Sequence, residues 1–138
     1  MSTGAPTAPD PTTLFRAMRR NEGGKPLCGS AGSLLGVRAG IDITPDASGR
    51  VTRGHGGLSV TPNDPQKLPP HVRPPQFGGK GKLPIFQIRT SAIGLSLCYR
   101  ADPGRPQQHG FIEPREPMLL NDYQSALGAT QSEWKELA

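Results

Sequence analysis

With 138 residues the chain has room for one domain with a core of moderate size, and a second domain is not expected. Glycine and proline, 18 and 16 of them, make up about a quarter of the chain beside 33% hydrophobic residues, a composition that borders on low complexity and predicts a loop-rich domain. The formal net charge of +5 points to an anionic partner, whether nucleic acid, a phosphate-bearing small molecule or an acidic protein.

Residues 1–13, rich in Ser, Thr, Ala and Pro, read as a mobile tail, and 14–138 as the domain. The opening lacks a basic stretch followed by an apolar one, and no run approaches the roughly 18 apolar residues of a membrane span. The expectation is a cytoplasmic protein without membrane contact, with export by a specialised system that reads no cleaved peptide left open.

Leu14–Met18, LFRAM, opens either a short strand or a helical turn; its Arg16 is a snorkelling surface residue or a guanidinium presented by a core strand to phosphate or carboxylate. Glycine clusters then surround one helix-compatible piece, Leu34–Ile43. Neither Gly29–Gly36 (GSAGSLLG) nor Gly78–Leu83 (GGKGKL) has the spacing of a phosphate loop. In Arg53–Pro62, RGHGGLSVTP, three glycines allow a close backbone approach before a short strand over Leu58–Val60. Lys67–Lys82 mixes prolines with basic residues and glycines, and reads as a stiff basic flap with hinges or as a plain exposed connection.

Leu83–Thr90 and Ile93–Ala101 read as paired strands joined by a turn at Thr90–Ala92, the second with Ile93, Leu95, Leu97 and Tyr99 on one face. Asp102–Pro106, DPGRP, is a turn by its chemistry, and Phe111–Ile112 begin another strand. Leu119, Leu120, Tyr123, Ala126 and Leu127 have helical spacing, and Thr130 with Glu133 fits a capping box for a last short helix carrying Trp134 and Leu137. Helix packed on a small sheet makes the fold class α+β. Cys28 and Cys98 form no CxxC or Cys/His cluster, so two buried reduced thiols are expected, one disulfide being the alternative. The histidines and cysteines lack zinc spacing, and no metal is expected.

An early arginine in LFR (Arg16), a serine in GLSV (Ser59) and a late HGFIEPREPM element from His109, leading into YQSAL and TQSEW, together resemble a family of bacterial toxins exported by type VI secretion, the exported effector two family. The resemblance spans about residues 14–134 and is carried mainly by the last element. It implies an ADP-ribosyltransferase-like split β-sheet around a cleft that binds NAD as co-substrate. Nicotinamide would be released through an oxocarbenium-like transition state, with ADP-ribose passing to a macromolecule or to water.

In that setting Arg16 would clamp the pyrophosphate or brace the ribose with its fork of donors. Ser59 would hydrogen-bond the nicotinamide ribose or hold Arg16, and Gly57 would let backbone approach the co-substrate. His109 would orient a ribose hydroxyl or, protonated, pair with phosphate. Tyr99 and Phe77 are candidates to stack on a ring, although Tyr99 alternates with core residues. Glu113 is the candidate acid, with Glu116 behind it, against a solvated turn with Arg115 as the plain alternative. A toxin also implies an immunity protein with an acidic surface. Two other readings stand beside this one: an RNA 2′-phosphotransferase-like enzyme, for which the chain is too short to carry the usual extra winged domain, and a basic RNA- or protein-binding module without catalysis, for which exposed aromatics are few.

Overall fold

The computed structural model describes residues 12–137. The expected tail lies outside the described residues apart from Thr12 and Thr13, and Thr13 already belongs to the first strand. The strands are β1 (Thr13–Ala17), β2 (Arg50–Val51), β3 (Leu58–Pro62), β4 (Ile85–Arg89), β5 (Leu97–Ala101), β6 (Gly110–Pro114), β7 (Met118–Leu119) and β8 (Lys135–Glu136), with one helix, α1 (Leu120–Ala129). Six of them form one antiparallel sheet in the order β5-β6-β3-β1-β4-β8, and β2 pairs with β7 apart from it. The class is α+β, as the sequence indicates.

LFRA, LSVTP and IFQIR form strands because branched and aromatic side chains fit a pleated, half-buried surface. β1 lies inside the sheet, and its alternation sets the two sides of the molecule. Leu14 and Met18 enter the main core with Val60, Ile112, Tyr123, Leu127 and Trp134, each at most 2% exposed. Each such side chain contributes about 1.5–3 kcal/mol by leaving water. Phe15 and Ala17 face the other way, into a smaller cluster with Leu68 and Ile85 under the loop that follows β3.

α1 begins without a side-chain cap and is held by packing instead. It buries Tyr123 and Leu127, one helical turn apart, and the Tyr123 hydroxyl accepts from the Leu58 amide (3.0 Å) while donating to the Ile112 carbonyl. One side chain therefore pins the helix to both β3 and β6.

β1 pairs with β4 along its whole length, from Thr13↔Arg89 to Ala17↔Ile85. Its pairing with β3 ends after Leu14↔Pro62 and Phe15↔Thr61, whereas β3 continues against β6 from Leu58↔Ile112 to Val60↔Gly110. The sheet therefore parts between β1 and β3, beyond Phe15.

Several expectations are corrected. β4 and β5 are not partners: Thr90–Ala92 is a short 3-10 turn that carries the chain away, so β5 pairs with β6 and β4 with β1 and β8. Ile93–Ser96 precedes the strand, and Leu95 is 90% exposed rather than inward. Leu34–Ile43 forms no helix; Gly36 lies so close to the Gly29 carbonyl that a Cβ could not fit, and isolated bridges such as Cys28↔Leu35 replace helical bonds. Lys67–Lys82 is folded back on itself rather than extended. Its amides at Gly79, Lys80 and Gly81 donate back to Pro74, Pro70 and Arg73, and Gly79 and Gly81 serve close backbone packing. Thr130 does not cap the Gln131–Glu133 turn: its hydroxyl donates to the Leu127 carbonyl (2.6 Å) and accepts from the Trp134 indole (2.9 Å). Both cysteines are free, but only Cys98 is buried, since Cys28 lies at the surface of a glycine loop.

Candidate functional site

Where β1 and β3 part, a cleft of about 260 Å³ opens, lined by Arg16, Ser59 and His109 together with Arg105 and an apolar wall of Phe15, Leu68 and Val72. Three residues distant in sequence meet there because β1 supplies the first, β3 the second and the residue just before β6 the third. The cleft continues into a groove of about 400 Å³ that shares Thr61, Leu68, Pro69, Arg105 and His109 with it and adds Lys67 and Arg73. No Asp or Glu lines either compartment.

Arg16 is 9% exposed, and its fork is already engaged. Nη1 donates to the Ser59 carbonyl (2.9 Å), and Nη2 to the Gly32 (3.1 Å) and Leu34 (2.9 Å) carbonyls. The guanidinium thus stands in for the ladder bonds that β1 and β3 do not make, and ties the Gly29–Gly36 loop to the sheet. Burial lowers its pKa to about 10, which leaves it a cation at neutral pH. The expected phosphate clamp is corrected to this extent: backbone carbonyls occupy the fork, and Arg16 shapes the floor of the cleft. Its hold on Ser59 runs through the main chain of Ser59 rather than the hydroxyl.

His109 is fixed from behind. Its Nδ1 lies 2.8 Å from Asp102 Oδ2, and its ring meets Phe111 edge-on at 4.7 Å. A carboxylate at Nδ1 selects the tautomer with Nδ1–H, leaving Nε2 as a lone-pair acceptor. The hydrogen bond from His109 holds the Asp102 pKa below its usual value. Asp102 and Arg105 escape a reading of the sequence because DPGRP looks like a turn and nothing more. The available signal is the hairpin: Ala101↔Gly110 is the last pair of β5 and β6, which sets Asp102 and His109 against each other just beyond it.

Glu113, Tyr99 and Gly57 do not join this cleft. Ser59↔Phe111 and Cys98↔Glu113 are register pairs, so Glu113 shares the sheet face of Ser59, but two residues further along β6 it is covered by the Arg53–Gly57 loop. There its carboxylate, 1% exposed as a residue, accepts from the Gly54 amide (3.0 Å) and pairs with Arg100 (2.9 Å), whose guanidinium also stands 5.0 Å from the Phe111 ring centroid. Glu113, the candidate acid, is therefore held in a buried ion pair in a strand outside the cleft, and the alternative of a solvated turn with Arg115 does not hold either. Glu116 remains at the surface.

Tyr99 packs against the main core with its ring pressed on Gly110, its hydroxyl buried without a hydrogen-bond partner. Gly57 (φ 152°) approaches the Ile112 carbonyl and the Tyr123 hydroxyl of its own chain, a place no Cβ would fit. Phe77 lies in the 3-10 turn Pro75–Phe77 and lines a different surface pocket with Arg20 and Glu136. Among the described residues no three His, Cys, Asp or Glu side chains gather as metal ligands, and no helix is long and apolar enough to cross a membrane. No protein-family model, curated protein or solved structure matches the chain, which leaves the geometry of the cleft as the ground for its function.

Proposed function

We propose that the protein is an ADP-ribosyltransferase-like toxin that takes NAD as co-substrate, cleaves its bond to nicotinamide and passes ADP-ribose to a macromolecule, and that an immunity protein restrains it in the producing cell. The single observation that carries this reading is the meeting of Arg16, Ser59 and His109 at the parting of β1 and β3. The cleft is apolar on one wall, and no carboxylate lines it. Those properties suit a ligand that carries a pyrophosphate.

In this proposal the bond between ribose C1′ and the pyridinium nitrogen breaks, and nicotinamide leaves neutral with the bonding pair. A hydroxyl of the acceptor, or water, bonds to C1′. His109 takes its proton at Nε2, and Asp102 stabilises the imidazolium that results. Arg105, at the mouth of both compartments, faces the phosphates, and the apolar wall of Phe15, Leu68 and Val72 keeps water from the reacting bond. Arg16 keeps the two half-sheets at the separation that the ligand needs. Glu113 is not assigned the role of acid, because it does not line the cleft.

Calorimetric titration with NAD, and with ADP-ribose for comparison, tests the reading. Saturable binding that persists in Glu113→Gln and is weakened at least tenfold in His109→Ala is expected. Absence of binding at millimolar NAD by folded protein overturns it.

A further inference from the structure

The groove beyond the cleft has a chemistry of its own. One wall is the loop after β3, where Lys67 and Arg73 stand beside Pro69 and Pro70; the other is the β5–β6 connection with Arg105 and His109. The first wall is closed by its own hydrogen bonds. Arg73 Nη1 donates to the Gln66 (2.8 Å) and Leu68 (3.3 Å) carbonyls, Arg73 Nε has no partner, and the Lys80 and Gly81 amides close the loop on Pro70 and Arg73. Arg105 and Lys67 are exposed. Two carboxylates outside the lining touch groove residues: Asp64 accepts from the Gln66 amide (2.9 Å), and Asp102, already engaged by His109, approaches Arg105 at 3.9 Å. A row of cations on pre-formed walls, with proline and leucine surfaces between them and no acid in the lining, attracts a chain of phosphates more than a single one.

We propose that this groove binds the phosphate backbone of a single-stranded nucleic acid, and that nucleic acid is the acceptor presented to the cleft. Proline and leucine surfaces lie between the cations, an apolar lining that exposed base faces can cover and the paired bases of a duplex cannot. The acceptor assignment rests on the transferase reading given above; the binding itself does not.

The test uses fluorescence anisotropy with a labelled twelve-nucleotide single-stranded RNA over a series of salt concentrations, beside the NAD titration. The variants are Lys67→Ala/Arg105→Ala, and Arg89→Ala/Lys135→Ala, which removes the same charge from the far edge of the sheet. Groove binding predicts affinity that falls as salt rises. The first variant should lose at least tenfold and reduce the salt slope by about 1.4, while the second changes affinity less than threefold. Equal loss in both variants overturns the inference by making net charge the cause. Equal affinity for an acidic peptide such as oligoglutamate overturns it by showing a general anion surface, and no binding of RNA at low salt overturns it outright. RNA binding with this pattern but no NAD binding sustains the groove and removes the transferase reading. RNA binding weakened in Lys67→Ala alone, with NAD binding intact, assigns the groove to the acceptor, because Lys67 lines the groove and not the cleft.

Discussion

Arg16 and Glu113 are both charged side chains buried in strands of one sheet, yet the protein satisfies them by different means. Arg16 has no counter-ion in contact; three backbone carbonyls surround it, and the cleft opens where its strand leaves β3. Glu113 has a cation, Arg100, and one backbone amide, and it sits where β5 and β6 pair without interruption. The difference shows what a buried charge does to its surroundings. A cation met only by backbone dipoles recruits chain segments from far away, here the Gly29–Gly36 loop and β3, and so organises a concavity. A charge met by its opposite closes the local structure and leaves nothing for a ligand.

Substitutions can break this comparison, beginning with Arg16→Ala. It leaves the carbonyls of Ser59, Gly32 and Leu34 without their donor and opens a void, so a loss of about 3–5 kcal/mol is expected, a drop of at least 10 °C or so in the melting temperature. Loss of function in this variant therefore says nothing about catalysis unless circular dichroism shows it folded. An unchanged melting temperature would mean that the guanidinium is free to serve a ligand.

Glu113→Gln keeps an acceptor for the Gly54 amide and removes the ion pair, and a loss of about 2 kcal/mol in urea denaturation is expected with NAD affinity unchanged. Weakened NAD binding there would return Glu113 to the site and erase the contrast. Tyr123→Phe removes the hydroxyl that serves Leu58 and Ile112 and should cost about 1–2 kcal/mol, read by the same denaturation. It acts on β3 and β6 from the helix, apart from the hydrogen bonds of Arg16 and Glu113, so it should not change the ratio of the other two effects.

The smallest effect belongs to Asp102 and His109. Because the folded-state pKa of Asp102 is depressed by the hydrogen bond from His109, the stability it contributes is fully present above the unfolded value of about 3.9. It is lost as pH falls through the lower folded value. Asp102→Asn should abolish that part of the acid dependence and leave the NAD affinity of folded protein reduced, because the carboxylate no longer fixes the imidazole; stability curves between pH 2 and 6 with the NAD titration measure both. An unaltered affinity would mean that His109 needs no orienting partner.

Much of the fold is legible in residues that follow local rules. LFRA, LSVTP and GFIEP make strands by side-chain preference, Leu120 to Leu127 have helical spacing, and DPGRP turns because proline and glycine leave little else. No local pattern links Arg16, Ser59 and His109, and the fold brings these three together at one cleft. Local rules failed where distant segments compete for the same partner. Leu83–Thr90 and Ile93–Ala101 look like a hairpin, but β1 and β8 take β4 and β6 takes β5, an order that buries Leu14, Ile88, Leu97 and Ile112 together. Glu113 looks solvated in EPREP, and a glycine loop distant in sequence covers it.

What the sequence by itself determined, then, are a loop-rich α+β domain, its basic charge and the strands, all consequences of composition and of contacts between near neighbours. Which side of the sheet each charge faces, that β1 leaves β3 at Arg16, and that Asp102 stands behind His109 were decided by tertiary structure, since each depends on a register between segments whose meeting no local pattern encodes.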